Sequence, residues 1–147
     1  MSKVSAFDPK RVLRGSGGHT WVNGKEMGNV TKLETKMAGD YEDVNVCGDQ
    51  TTYAVYNGWS GTGTLEMLHV DTELCKQIVE GFLTGDMPEI VIISMLENKK
   101  TGKRERCRYS GITFDEVSPT SFEKKAIANE SLPFKFTDFQ FLETIQY

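Results

Sequence analysis

The sequence has few of the residues that build cross-linked folds or cross membranes. Its 147 residues include three cysteines, Cys47, Cys75 and Cys107, which are odd in number and far apart. That usage argues against a disulfide framework and suits a reducing compartment. No apolar run approaches the ~20 residues that cross a bilayer, and the N-terminus lacks the apolar region of a secretory signal. We therefore expect no disulfide scaffold and no membrane anchoring.

Histidines are also scarce, and neither has the neighbours that metal binding or catalysis needs. His19 and His69 lie on separate predicted strands, with no carboxylate or cysteine at a metal-ligand spacing. The glycine-rich stretches GSGGH and GTG do not join a strand to a helix with a phosphate-binding lysine. The sequence therefore predicts no catalytic residue, no metal site and no cofactor, and we do not expect an enzyme.

The length and composition are those of one globular domain. Hydrophobic residues make up 38% and charged residues 26%, and the formal net charge is -4. So mild a charge gives no general argument for nucleic-acid or lipid binding. We expect a polar N-terminal arm over residues 1–16 and a single domain over residues 17–147.

The pattern of apolar residues predicts a mainly β fold with one α-helix. Asn23-Gly24 is a strong hairpin signal, and residues 30–37 alternate between a polar and a mostly apolar face. Residues 71–86 instead place apolar side chains at helical spacing. The alternation of the last segment changes phase near Thr137-Asp138, which predicts a bend that lets one strand serve two sheets. The expected architecture is an antiparallel β-sandwich or barrel.

Two charged segments of opposite sign are the main candidates for a binding surface. Residues 39–50 contain Asp40, Glu42 and Asp43, and their lack of a clear period predicts a long acidic loop. These carboxylates could form a cation site, but the EF-hand pattern is missing and solvated loop charge is the better interpretation.

Residues 99–108 are basic, and a strand there would carry three arginines, Arg104, Arg106 and Arg108, on one face. Such a face repels itself unless negative charge lies opposite. An exposed hairpin tip and a nucleic-acid surface are both possible interpretations. We favour the acidic loop of another copy as the partner, because the stacking aromatics of single-strand binders are absent.

The stretch NGWSGTGTLEMLHV, residues 57–70, places Gly61 and Gly63 on the same face of one predicted strand after Trp59. Glycine in a strand costs roughly 0.5–1 kcal/mol relative to alanine. Two interpretations explain why the strand would accept that cost. The glycines either form a local bulge within one subunit or make room for a neighbouring chain, and we favour the second, with Trp59 as an interface anchor.

Three segments, VNGKEMGNVTKLETKM, YNGWSGTGTLEMLHVDTEL and PFKFTDFQFLETI, closely resemble the tail tube proteins of contractile phages. Within that family, the segments resemble the branch found in PBSX-like defective prophages and in R-type bacteriocins. The resemblance covers about residues 12–145, and its most specific part is GWSGTGTL followed by a helix. The fold of this family is similar to that of the type VI secretion tube protein.

The resemblance implies a structural protein with a tail-tube-like fold. Subunits of that family close into hexameric rings, which stack into a rigid hollow tube inside a contractile sheath. It further implies baseplate and tape-measure partners, DNA that passes through the lumen without specific binding, assembly in the bacterial host cytoplasm, and a place in a virion tail or bacteriocin particle. We expect the arginine row to lie away from the lumen, because phosphate contacts dominate DNA affinity.

The residues expected at subunit interfaces are two sets of charged side chains and one glycine-rich segment: Asp40, Glu42, Asp43, Trp59, Gly61, Gly63, Arg104, Arg106 and Arg108. Two other functions stay open at this point. One is a type VI secretion-like tube protein, and the other is a β-barrel that binds a small ligand.

Overall fold

The computed structural model describes residues 7–147 of the chain. Within them lie two short 3-10 turns, Pro9–Arg11 and Gly15–Gly17, before the first strand. The strands and the helix follow in the order β1 Gly18–Val22, β2 Lys25–Glu26, β3 Val30–Asn45, β4 Thr52–Leu68, α1 Glu73–Thr84, β5 Ile92–Asn98, β6 Lys103–Ser110, β7 Thr113–Phe114, β8 Asn129–Phe136 and β9 Asp138–Glu143. Of the expected N-terminal arm, residues 1–6 lie outside the described part.

The strands form two antiparallel sheets that pack face to face. One is five-stranded with the order β2-β1-β5-β6-β9, and the other is four-stranded with the order β3-β4-β8-β7. Side chains from both sheets fill the core, among them Leu65 and Phe134 from the four-stranded sheet and Ile92 from the five-stranded sheet. The prediction of an antiparallel sandwich is confirmed. The sheets do not close into the barrel that a small-ligand binder would need.

Two of the corners at which the chain changes sheets touch each other. β8 belongs to the four-stranded sheet and β9 to the five-stranded sheet, so the predicted bend at Thr137 is confirmed. The second corner is Gly111, between β6 and β7, where φ is +63°. A Cβ on Gly111 would lie 1.9 Å from Thr137 Oγ1. The chain turns at residue 111, where only glycine fits.

The local signals for the helix and the first hairpin are confirmed. α1 buries Leu74 and Ile78 against the core and ends at Gly85, which has the left-handed conformation expected of a helix cap. Asn23 and Gly24 both have positive φ, as a two-residue hairpin turn requires. No helix of residues 7–147 has the length and apolar character needed to cross a membrane.

The expected acidic loop over residues 39–50 is wrong, because most of it is strand. β3 and β4 pair from Val30 opposite Met67 to Asn45 opposite Thr52, with register shifts between Val30 and Lys32 and between Asp40 and Tyr41. Every residue from 36 to 57 is exposed, so no side of this segment is buried. Alternation of polar and apolar residues reflects burial on one face, and a strand with two exposed faces does not show it. We call residues 36–57 the extended hairpin.

Candidate assembly surfaces

The extended hairpin continues the four-stranded sheet well past the core. From Met37 to Asn45 there are eight residue steps, which at ~3.3 Å each give a reach of roughly 26 Å. One β-bulge interrupts it, where Asp40 pairs with Gly58 and Tyr41 pairs with Tyr56. Projections of this kind add nothing to the core of the subunit that carries them, so their stability must come from elsewhere.

Next to the core, the face of the extended hairpin that continues the core side of the sheet is apolar and uncovered. Met37 and Tyr41 lie on this face of β3, at alternate positions beyond the core residue Leu33. Their neighbours on β4 are Trp59 and Tyr56. All four side chains are between 39% and 61% exposed. Clustered apolar exposure of this kind marks an interaction site.

The same hairpin is acidic. Asp40, Glu42 and Asp43 all lie in β3, and Asp49 lies in the turn. No lysine or arginine occurs between Lys36 and Lys76. Among the described residues, none of these four carboxylates forms an ion pair. The hydroxyl of Tyr53 and the backbone N–H of Thr51 donate to Asp49 and lower its pKa.

Gly61 and Gly63 make room within the chain, which corrects the expectation that a second chain fills the space. A Cβ on Gly61 would lie 2.4 Å from the ring of Phe136, which is opposite it on β8. One on Gly63 would lie 2.5 Å from the ring of Phe134 and 2.9 Å from the backbone oxygen of Glu34. The two rings lie across the glycines as part of the core. No local bulge occurs at these positions either, since the β4–β8 register is regular.

Arg104, Arg106 and Arg108 lie on the outer face of the five-stranded sheet, away from the core side that Tyr109 occupies. Arg104 and Arg106 have a negative partner in the same chain. Arg104 Nε donates to Glu143 Oε2 on β9 at 2.6 Å, and Arg106 Nη1 lies 3.9 Å from Glu143 Oε1. The Arg106 guanidinium also stacks 5.5 Å from the Trp21 ring centroid. Glu143 thus supplies part of the negative charge that we expected from another copy.

A second basic surface was not expected from the sequence as a unit. Residues 9–17 lie against the β5–β6 turn, and between them is a cleft of about 440 Å³. We call it the basic cleft, because four cationic residues line it: Lys10, Arg14, Lys99 and Lys100. Lys99 and Lys100 belong to the basic run noted in the sequence. Lys10 and Arg14 are distant in sequence, and only the fold brings them to the same place.

Two contacts hold the walls of the basic cleft together. Asn98 is buried, its side-chain amide donates to Lys10 O at 2.6 Å, and its Oδ1 accepts from Lys100 N at 3.0 Å. Gly17 lies so close to β5 that a Cβ there would be 2.2 Å from Glu97 O. The segment is therefore fixed to the domain by a buried polar side chain and a close backbone contact.

The outward face of the four-stranded sheet is polar, and its cations are paired. Glu34 lies between Lys32 and Lys36, at 3.5 and 3.2 Å, and Lys135 lies 3.9 Å from Asp115. Hydrogen bonding and charge from Lys36, and then from Lys32, lower the pKa of Glu34. The carboxylate therefore stays ionised at pH values below its usual pKa. This face thus presents little net positive charge.

Each histidine is paired with a glutamate on a neighbouring strand. His19 Nδ1 lies 2.9 Å from Glu26 Oε1, and His69 Nδ1 contacts the nearly buried Glu130. Within residues 7–147, no group of three histidine, cysteine or acidic side chains is placed to hold a metal ion.

The comparison with protein families agrees with these surfaces. A family model described as phage tail tube protein matches residues 5–143. The chain belongs to this family. The resemblance read from the sequence is confirmed, and the tail tube protein is a structural component of a phage tail.

Similarities to individual proteins support the same family and fold. The tail tube protein is 24% identical over 142 residues to the phage-like element PBSX protein XkdM of Bacillus subtilis (strain 168), covering 95% of this chain and 97% of XkdM. Its fold is similar to a chain of the PVC sheath-tube complex of an extracellular contractile injection system, with a TM-score of 0.75 and 12% identity over 92% of this chain and 95% of that chain. Hcp1 from Flavobacterium johnsoniae follows with a TM-score of 0.56 and 11% identity, over 86% and 95% of the two chains.

Proposed function

We propose that this tail tube protein forms hexameric rings that stack into the inner tube of a contractile phage tail or an R-type bacteriocin. Family membership supports a tube, and likeness to a chain of a sheath-tube complex supports one enclosed by a sheath. The observation that carries the proposal is the extended hairpin, which is exposed over residues 36–57 although the part nearest the core presents large apolar side chains on one face. No part of residues 7–147 covers these side chains, and the proposed tube would cover them with another copy.

Ring formation also resolves the open edges of the four-stranded sheet. β3 and β7 are its outer strands, and each has one side without a partner in the described chain. Unpaired edges attract uncontrolled association. When the four-stranded sheets of neighbouring subunits join around a rotation axis, every edge is paired and the assembly closes.

In such a ring the outward face of the four-stranded sheet is the natural lumen wall. It is polar, and Glu34 and Asp115 neutralise the lysines that a passing DNA would otherwise bind. Arg104, Arg106 and Arg108 lie on the other sheet and face away from this surface. That arrangement supports the expectation that the arginines do not line the lumen.

The remaining partners follow from the same proposal. A contractile sheath would contact the outside of the tube, a baseplate its end, and a tape-measure protein its lumen during assembly. The role is mechanical, and we assign no reaction to the chain. A type VI secretion-like tube is the second candidate, because the fold is also similar to Hcp1.

Electron microscopy of the concentrated protein tests the proposal. Negatively stained samples should show rings with sixfold symmetry, and tubes where the rings stack. Light scattering across a dilution series should show monomers giving way to these assemblies. A protein that remains monomeric at millimolar concentration would contradict the proposal. Co-expression with the sheath protein of a contractile phage tail would separate the two tube candidates, since a type VI secretion-like tube is not expected to assemble inside a phage sheath.

A further inference from the structure

We infer that the basic cleft receives the acidic end of the extended hairpin from a second copy in the adjacent ring. This inference rests on the proposed tube, and it assigns the axial contact to particular residues. The sequence had placed the receptor on the basic hairpin and its arginine row. The structure leaves out the arginine row and joins Lys99 and Lys100 of that hairpin to Lys10 and Arg14, where the N-terminal segment meets the β5–β6 turn.

Charge is the first argument. Asp40, Glu42, Asp43 and Asp49 have no lysine or arginine near them in sequence and no ion pair among the described residues. The four cations of the basic cleft likewise form no ion pair there. Two unpaired surfaces of opposite sign on one chain are complementary between copies.

The state of the arginine row is the second argument. Arg104 and Arg106 already contact Glu143, and Arg106 also lies over Trp21. A carboxylate from another copy would have to compete with that internal partner. The lysines of the basic cleft have no such competitor, since the one acidic residue that lines it, Glu97, forms no ion pair among the described residues.

Shape and reach are the third argument. The basic cleft is concave, and its walls are fixed by Asn98 and by the close approach of Gly17 to Glu97. It contains the exposed Val12 as an apolar contact. The hairpin end carries Val44 and Val46, which are also exposed. Its roughly 26 Å reach beyond the core lets it span the gap to another ring.

A charge exchange tests this contact. Asp43→Lys and Lys100→Glu should each reduce tube formation at low salt by about tenfold, because the weak contact is repeated around every ring. The double variant D43K/K100E should restore most of the loss. Lys124→Glu has the same charge change at a site outside the basic cleft, and it should neither block assembly nor rescue D43K.

The outcomes separate this inference from the proposed function. If the unaltered protein forms no rings, the proposed function fails and this contact fails with it. If it forms tubes and K100E forms them equally well, the tube stands and the assignment to the basic cleft is overturned. Loss in D43K without rescue by K100E also overturns it, because the hairpin then binds elsewhere.

The native thiol of Cys47 supplies an independent readout. Cys47 is exposed in the turn of the extended hairpin, whereas Cys75 is buried and Cys107 is half-buried. Burial also raises the pKa of the Cys75 and Cys107 thiols, which lowers their reactivity. A maleimide should label Cys47 in dilute monomer and label it much more slowly in tubes. Equal labelling rates in the two states would refute the docking of the turn.

Discussion

At the residue scale, glycines opposite phenylalanines determine how the core is sealed. Phe134 and Phe136 are almost fully buried, and their rings lie over Gly63 and Gly61 on the adjacent strand. The ring of Phe136 also packs edge-on against Tyr109, with centroids 4.9 Å apart. Tyr109 in turn is 2.8 Å from Thr35 of the opposite sheet through its hydroxyl. The glycines therefore support a contact chain that joins the two sheets.

Replacing Gly61 with alanine tests this role. The new Cβ would meet three atoms of the Phe136 ring at 2.4–2.7 Å, and Tyr109 limits how far that ring can move. We expect the free energy of unfolding of the monomer to fall by roughly 1–3 kcal/mol. Denaturant unfolding at concentrations below assembly measures it.

Gly28→Ala is the matched control, because nothing lies within 4 Å of a Cβ at that position. Its free energy of unfolding should change little. If G61A instead leaves monomer stability intact and only prevents tubes, then the space beside Gly61 serves a neighbouring subunit after all.

At the element scale, the extended hairpin separates folding from assembly. β3 and β4 contain 16 and 17 residues, about three times the usual strand length. Their proximal halves carry core residues such as Leu65 and Met67, while residues 36–57 are exposed throughout. The distal half is therefore dispensable for the core and available for contacts between copies.

Shortening the hairpin should separate the two properties. Asp40 and Gly58 are paired, so residues 41–57 can be replaced by Asn-Gly, which forms a two-residue turn. We expect the free energy of unfolding to change by less than about 1 kcal/mol, since few buried contacts are lost. Tubes should disappear entirely in electron micrographs.

Circular dichroism of the shortened chain verifies that the fold is retained. A matched variant keeps residues 41–57 but replaces Gln50, in the turn, with serine, and it should assemble normally. Tubes formed by the shortened chain would contradict the role of the extended hairpin. Global unfolding of that chain would show that the hairpin supports the core.

At the scale of the whole molecule, charge is sorted onto separate surfaces. The extended hairpin is acidic and the basic cleft is cationic, while the outward face of the four-stranded sheet balances its charges by pairing. The net charge of -4 conceals this separation. In the proposed tube, opposite charge would favour axial contact between rings, and a balanced face would leave a polyanion free to slide.

Removing the paired carboxylates should make that balanced face bind DNA. Glu34→Gln with Asp115→Asn leaves Lys32, Lys36 and Lys135 without partners. We expect tubes of this double variant to bind short DNA about tenfold more tightly at low salt, and the gain should vanish as salt rises. Fluorescence anisotropy with labelled DNA measures the affinity.

The charge control is Glu116→Gln with Glu123→Gln, which alters the net charge equally in the segment between β7 and β8. It should leave DNA affinity unchanged. Because the neighbouring lysines lower the pKa of Glu34, its masking effect is present above its ordinary pKa and is lost only as the pH falls through the lowered value. An unchanged affinity in E34Q/D115N would argue against this face as the lumen wall.

Much of the fold could be predicted because its signals are local. The Asn23-Gly24 turn, the helix ended by Gly85 and the change of phase at Thr137 each depend on residues close together in sequence. The acidic strand could not be predicted, because a strand that is exposed on both faces does not show the alternation of polar and apolar residues that burial of one face produces. Of the candidate site, the arginine row was placed correctly on one face, but its partner Glu143 lies on a strand 39 residues away from Arg104.

The sequence by itself determined the β architecture, the single helix of the described chain and the family. Periodicity, turn residues and the GWSGTGTL segment are enough to indicate all three. Tertiary structure alone decided that Phe134 and Phe136 fill the space beside the glycines, and that Lys10 and Arg14 join Lys99 and Lys100 around one cleft. The reason is physical. Local patterns record which side of an element is buried, whereas the meeting of distant residues depends on strand register and sheet packing, which form only when the whole chain folds.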